Sequence, residues 1–122
     1  MKIKISITKE VLQRSMLCGV ENANGGYTTI SDNCAVSVAL RDVFGFVQTT
    51  HDYIIMYKFN HEMVSLPQIA SDFITKFDRL VDSPEKRLDL PETDFEIDIP
   101  SSIIDQINIE NIHKSATLEL VN

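Results

Sequence analysis

The sequence predicts a small single α+β domain: a mostly antiparallel sheet with helices packed on one face and a C-terminal arm. Three observations predict it. Period-two alternation of isoleucine or phenylalanine with charged residues marks Lys2–Ile7 and Asp94–Ile99 as half-buried strands. Two runs rich in β-branched and aromatic residues, Phe46–Thr50 and Asp52–Phe59, adjoin at His51-Asp52 and read as a hairpin or two neighbouring strands. Between the strand groups, Ile69, Ala70, Phe73, Ile74, Phe77, Leu80 and Val81 recur at three and four, the period of an amphipathic helix. The 122 residues hold no repeat, low-complexity tract or linker, which suits one domain over residues 1–107 and an arm or edge strand over 108–122.

The elements follow in chain order. After the first strand, Thr8 caps a helix from Lys9 to about Leu17 with Val11, Leu12, Ser15 and Met16 inward. Asn22-Ala23-Asn24-Gly25-Gly26 is a loop by its breaker chemistry. The polar cluster Thr28–Asn33, in which Asp32 and Asn33 are good caps, leads into an apolar helix of small residues, Cys34–Phe44, that Gly45 terminates. Behind the hairpin, Asn60-His61-Glu62 is a turn and Met63–Leu66 a short strand, and Pro67 suits the first position of the amphipathic helix. Asp72 and Lys76 are spaced as an i,i+4 ion pair on its polar side. Asp82–Glu85 ends that helix, Leu88 and Leu90 clip the polar segment to the body, and Pro100 stops the acidic strand. Ser101 or Ser102 caps a short helix with Ile103, Ile104 and Ile107, and Leu118–Val121 adds a last strand to a sheet edge or lies on a partner.

Composition narrows the function. Net charge is −7 with eleven Lys and Arg residues against eighteen Asp and Glu. The imbalance is local, since residues 82–98 carry seven acidic and two basic side chains. No basic patch is available for phosphates, so nucleic acid is not an expected partner. The longest uncharged apolar run, Tyr53–Tyr57, is too short to span a bilayer, and Met1–Ile5 is unlike a secretory leader. Cys18 and Cys34 do not make a disulfide framework, and they form with His51, His61 and His113 no metal-ligand spacing; no metal or cofactor is expected.

Two constellations carry possible chemistry. Cys34 at the start of a helix could be a thiolate nucleophile with His51 as base and Asp32 or Asp52 nearby, but Ala35 and Val36 follow it directly and no oxyanion donor can be named. The better reading of Cys34 is a packing residue, leaving no catalytic residue. Asp94, Glu96 and Asp98 share one strand face. Two apart, they could bind a divalent cation or act as an acid/base pair, but no loop carbonyls are supplied and a solvated face is the better reading. With Leu118 and Leu120 of the C-terminal segment they are the candidate interaction surface for a protein partner.

Asn33–Phe44, read as a whole, resembles the C-x-(I/L/V)-A-x-A-(I/L) helix of a family of small proteins carried by phages, plasmids and some bacteria. Leu66-Pro67, Phe73-Ile74-Thr75-Lys76-Phe77-Asp78 and Phe95–Pro100 look like the same family's continuation, so the resemblance covers about residues 1–100. Ser37 replaces the usual alanine, and the Asn22–Ser31 loop is long for the pattern. The crAss-like phages of gut Bacteroidetes encode similar small proteins, and their virions carry auxiliary capsid proteins of about this size. The resemblance implies a phage origin. With the acidic strand and the C-terminal arm, it leads to the expectation of a non-enzymatic, cement-like auxiliary capsid component located in the virion, whose partner is the major capsid protein or another virion protein. The competing expectations are a small acidic inhibitor of a host complex and a cysteine hydrolase using Cys34 and His51.

Overall fold

The computed structural model describes residues 1–18, 35–80 and 82–121. The readings of the Asn22–Gly26 loop, the Asp32-Asn33 caps, Cys34, Val81 and the Met16 side chain lie outside what is described. Strand β1 (Lys2–Ile7) buries Ile3, Ile5 and Ile7 completely and leaves Lys2 on the opposite, exposed face, as its alternation requires. Thr8 then accepts a hydrogen bond from Val11 N–H (3.3 Å) to cap helix α1 (Lys9–Cys18), whose Val11, Leu12 and Ser15 point inward.

Helix α2 (Ala35–Phe44) is buried over its first six residues, Ala35 through Leu40, and again at Phe44, while Asp42 is exposed. It packs against α1, β1 and the next strand at once. Gly45 ends it with φ +73° and a 2.9 Å bond from its N–H to the Arg41 carbonyl, the left-handed closure that glycine adopts without a Cβ penalty.

The hairpin forms as β2 (Val47–Thr49) and β3 (Tyr53–Met56), with the Thr50 hydroxyl accepting from Asp52 and Tyr53 N–H in the turn. The second strand is shorter than its composition suggests. Tyr57–Phe59 winds into a 3₁₀ turn, Phe59 meets the edge of Phe44 (6.4 Å between centroids), and Asn60 and His61, both left-handed (φ 61° and 58°), reverse the chain into β4 (Glu62–Ser65). Helix α3 (Gln68–Arg79) buries Ala70, Phe73, Ile74 and Phe77. Pro67 serves as its N-cap rather than its first turn, Ile69 turns outward, and Asp72 takes the Gln68 amide (2.8 Å) where an ion pair with Lys76 was expected.

A 3₁₀ segment (Pro84–Asp89) follows, and Lys9 Nζ donates to the Leu88 and Leu90 carbonyls (2.7 Å each), clipping it to α1. Strand β5 (Thr93–Asp98), short helix α4 (Ser101–Ile104) with Pro100 rather than a serine at its cap, helix α5 (Glu110–Lys114) and strand β6 (Leu118–Leu120) complete the chain.

The fold is α+β, and the antiparallel strands divide into two sheets of three, ordered β5-β1-β6 and β2-β3-β4. Helix α2 lies against a strand of each sheet, β1 and β2, and β4 of one sheet runs beside β5 of the other. Nor do residues 108–121 extend from the body as an arm. Ile112 is fully buried, Leu118 nearly so, and β6 pairs antiparallel with β1, so the edge strand is the alternative that forms.

Small residues set how closely α2 approaches its neighbours, and Ala39 is 3% exposed with its carbonyl taken by Thr117 Oγ1 (3.2 Å). Ala39→Leu should therefore lower unfolding free energy by about 1–3 kcal/mol through overpacking, measured by urea denaturation. A loss under half a kcal/mol would mean that the helix is not tightly enclosed.

Candidate interaction surface

The acidic strand takes the orientation its pattern demands. Phe95 and Ile97 face the core at 4% and 3% exposure, while Asp94, Glu96 and Asp98 stand on the exposed face of β5. The register pairs Lys2 with Asp98, Lys4 with Glu96 and Ser6 with Asp94 across the central strand. On the far side Lys4 pairs with Glu119 of β6, and Lys4 Nζ lies 3.3 Å from Glu119 Oε2. The exposed face thus runs acidic, basic, acidic across its three strands, with four carboxylates against two lysines.

Asp98 marks one corner. Its Oδ1 accepts a hydrogen bond from the Met1 ammonium (2.9 Å), which also donates to the Ile99 carbonyl (2.8 Å). That bond first, then the ammonium's charge and Lys2, hold the Asp98 carboxyl below its ordinary range. Its contribution to stability is present above pH 3.8 and fades as pH falls through the lowered value.

Leu118 and Leu120 do not belong to this face. Strand parity puts them with Ile3 and Ile5, so Leu118 is 5% exposed and Leu120 half-buried against the core. The residue of β6 that joins Asp94, Glu96 and Asp98 is Glu119, which sequence reasoning passed over along with the neutralising lysines. Both carry the alternation signal, but only the pairing register shows that they share a surface.

The other candidate base, His51, sits in the turn between β2 and β3 with a structural set of partners. Its Nε2 is 3.4 Å from Asp78 Oδ2, its Nδ1 is 3.3 Å from Thr75 Oγ1, and its carbonyl accepts from the Ser71 hydroxyl. These contacts fasten the β2–β3 turn to one side of α3. The carboxylate beside it is that of Asp78 rather than Asp52, and Asp32 lies outside the described residues. Cys34 lies outside the described residues, so its geometry with His51 is not part of this site. Below Asp78, buried Arg87 stacks on the Phe77 ring (3.9 Å to the centroid) and donates through Nε to the Phe77 carbonyl (2.9 Å), placing a cation at the C-terminal end of α3. Nothing in the local pattern of Pro84–Asp89 singles out Arg87 for the interior. Among the described residues no group of three or more His, Cys, Asp or Glu side chains could hold a metal ion.

No family model, curated protein or solved structure matches the chain.

Burial pushes the Asp78 carboxyl up, and the charges of His51 and Arg87 only partly offset it. A carboxyl whose pKa is higher folded than unfolded binds more protons when folded, so stability falls as pH rises above 3.8 through the raised value. Asp78→Asn should remove that loss. Its melting temperature relative to the parent should climb with pH across this window, and a difference independent of pH would contradict the assignment.

Proposed function

We propose that this protein is a non-enzymatic docking component that binds a basic protein surface through the exposed face of the β5-β1-β6 sheet, and that it serves in a virion as an auxiliary, cement-like capsid protein. The observation that carries the reading is the row of Asp94, Glu96 and Asp98 on one edge strand, joined across the sheet by Glu119 and only partly neutralised by Lys2 and Lys4. Three hydrogen-bonded strands hold these carboxylates at fixed spacing, so a complementary basic surface meets a preorganised array at little entropic cost. The contacts of His51 with Thr75 and Asp78 support the non-enzymatic half, because they give that side chain an architectural task. The virion placement rests on the family resemblance of the α2 segment and of Phe73–Asp78 and Phe95–Pro100. The partner this implies is the major capsid protein or another virion protein.

The test is binding of the purified protein to capsids lacking it, at low and high salt. Asp94→Asn/Glu96→Gln should weaken binding about tenfold at low ionic strength. The gap should close as salt screens the exposed charges. Asp98 stays unchanged in this variant because it holds the Met1 ammonium. Since both substituted residues are exposed, the melting temperature should move little. Absence of the protein from purified virions, together with capture of a basic host protein, would overturn the capsid reading in favour of an inhibitor. Salt-independent binding that the variant leaves intact would overturn the acidic face itself.

A further inference from the structure

The hydrogen-bond parity of β6 leaves one side of it open. Ser6 N–H bonds the Thr117 carbonyl and Val121 N–H bonds the Lys2 carbonyl, so in this antiparallel pair Lys4 and Glu119 are also a bonded pair. The N–H and C=O groups of Glu119 therefore point to β1, while those of Leu118 and Leu120 point outward. Among the described residues these outward groups have no backbone bonding partner. They face a groove of about 440 Å³ whose walls include Ile112 and His113 of α5, Ala116, Leu118 and Leu120. The outer edge of β5 differs, because β4 runs beside it: Met63 and Ser65 line a common cavity with Asp98 and Ile99.

We infer that the β6 edge is a strand-addition site for an extended segment of a partner protein that alternates apolar with basic residues. Unpaired main-chain donors and acceptors call for another main chain, and an extended segment alone presents both at the matching spacing. Its side-chain chemistry follows from the two faces it would join. Residues opposite Leu118 and Leu120 fall on the core side, toward Ile112, and must be apolar; the residue opposite Glu119 falls on the charged face and must be basic. The molecule contains its own example of that rule. Strand β1, Lys-Ile-Lys-Ile-Ser-Ile, occupies the equivalent place between acidic β5 and Glu119, isoleucines inward and lysines outward. The inferred segment repeats β1's chemistry on the other side of β6 and extends the acidic–basic order of the sheet by one strand. It goes beyond the acidic-face reading, which concerns exposed side chains and shares Glu119 with it, and its test reads the main-chain amides of β6, which loss of the acidic row at Asp94 and Glu96 would not touch.

The probe is a capped synthetic peptide with the sequence of residues 2–7, titrated into isotopically labelled protein and followed by amide NMR and hydrogen exchange. The Leu118 and Leu120 amides should shift and exchange about tenfold more slowly near saturation. The Glu119 amide, already bonded to β1, should keep its exchange rate. The same peptide N-methylated at its first and second isoleucines, which are to lie opposite Leu120 and Leu118 with a lysine opposite Glu119, should give no protection. Leu120→Pro removes one outward N–H and none of the β1 bonds, the one place where proline is tolerated in an edge strand. Its far-UV circular dichroism should match the parent and its peptide affinity should fall severalfold. Protection at Asp94 and Glu96 in place of Leu118 and Leu120 would overturn the inference. So would equal binding of the N-methylated peptide, a result that needs no variant to fold, or no response at millimolar peptide.

Discussion

The rest of the structure depends on a helix whose first six residues are enclosed on all sides. A helix that buries six consecutive residues, Ala35 to Leu40, has no solvent face over that stretch and must be surrounded. Alanine at 35 and 39 and serine at 37 keep its cylinder narrow, so α1, β1, β2 and α5 all reach it. The polar atoms this burial encloses are bonded. Ser37 Oγ meets Thr49 Oγ1 at 2.6 Å, and Thr117 Oγ1 reaches the Ala39 carbonyl. Each bond joins α2 to a different sheet or to the turn before β6, and leaving either hydroxyl unpaired would cost about 1–3 kcal/mol. The same helix joins the two sheets, because it packs on β1 of one and β2 of the other.

Much of this was legible in the sequence, for a definite reason. Period two in Lys2–Ile7 and Asp94–Ile99 and the three-four recurrence around Phe73, Ile74 and Phe77 are local signals, and local burial obeyed them. Gly45 as a stop and the reversal near Asn60-His61 were equally local. What could not be read was pairing. The alternation of β5 shows that Asp94, Glu96 and Asp98 share a face but not that Lys2 and Lys4 stand beside them. Leu118 and Leu120 looked like a docking pair because a short apolar segment at the chain's end carries no sign of whether it meets a partner or its own core. Arg87 is the clearest miss: a basic residue in a polar stretch, buried because the Phe77 ring and carbonyl receive it.

The polar groups divide by role. Around α3 they are architectural: Ser71, Thr75 and Asp78 hold the His51 turn, and the ionised Asp78 is tolerated at a desolvation cost that His51 and Arg87 reduce. On the β5-β1-β6 face they do little for stability, since exposed ion pairs such as Lys4–Glu119 contribute about 0–1 kcal/mol. A repeated carboxylate row on an edge strand has another consequence. Two copies cannot bring these faces together without opposing like charges. On the proposed reading, such a face would repel its own copies and attract basic surfaces before any close contact is made.

Splitting six strands into two sheets gives the molecule four edges where one sheet would have two, and their lengths set what they can do. Strand β6 spans three residues, and its outward groups at Leu118 and Leu120 offer at most four main-chain hydrogen bonds. At about 0.5–1.5 kcal/mol net for each bond, they amount to roughly 2–6 kcal/mol, against an association cost of about 4–15 kcal/mol. The edge alone cannot hold a partner tightly. Glu119 changes that balance, because it belongs to the edge strand and to the charged face together. A partner that laid an extended segment along β6 would bring its basic side chains over Glu119 and toward the acidic row beyond Lys4. Its affinity would come from the two surfaces jointly, with the edge setting register and the face supplying attraction.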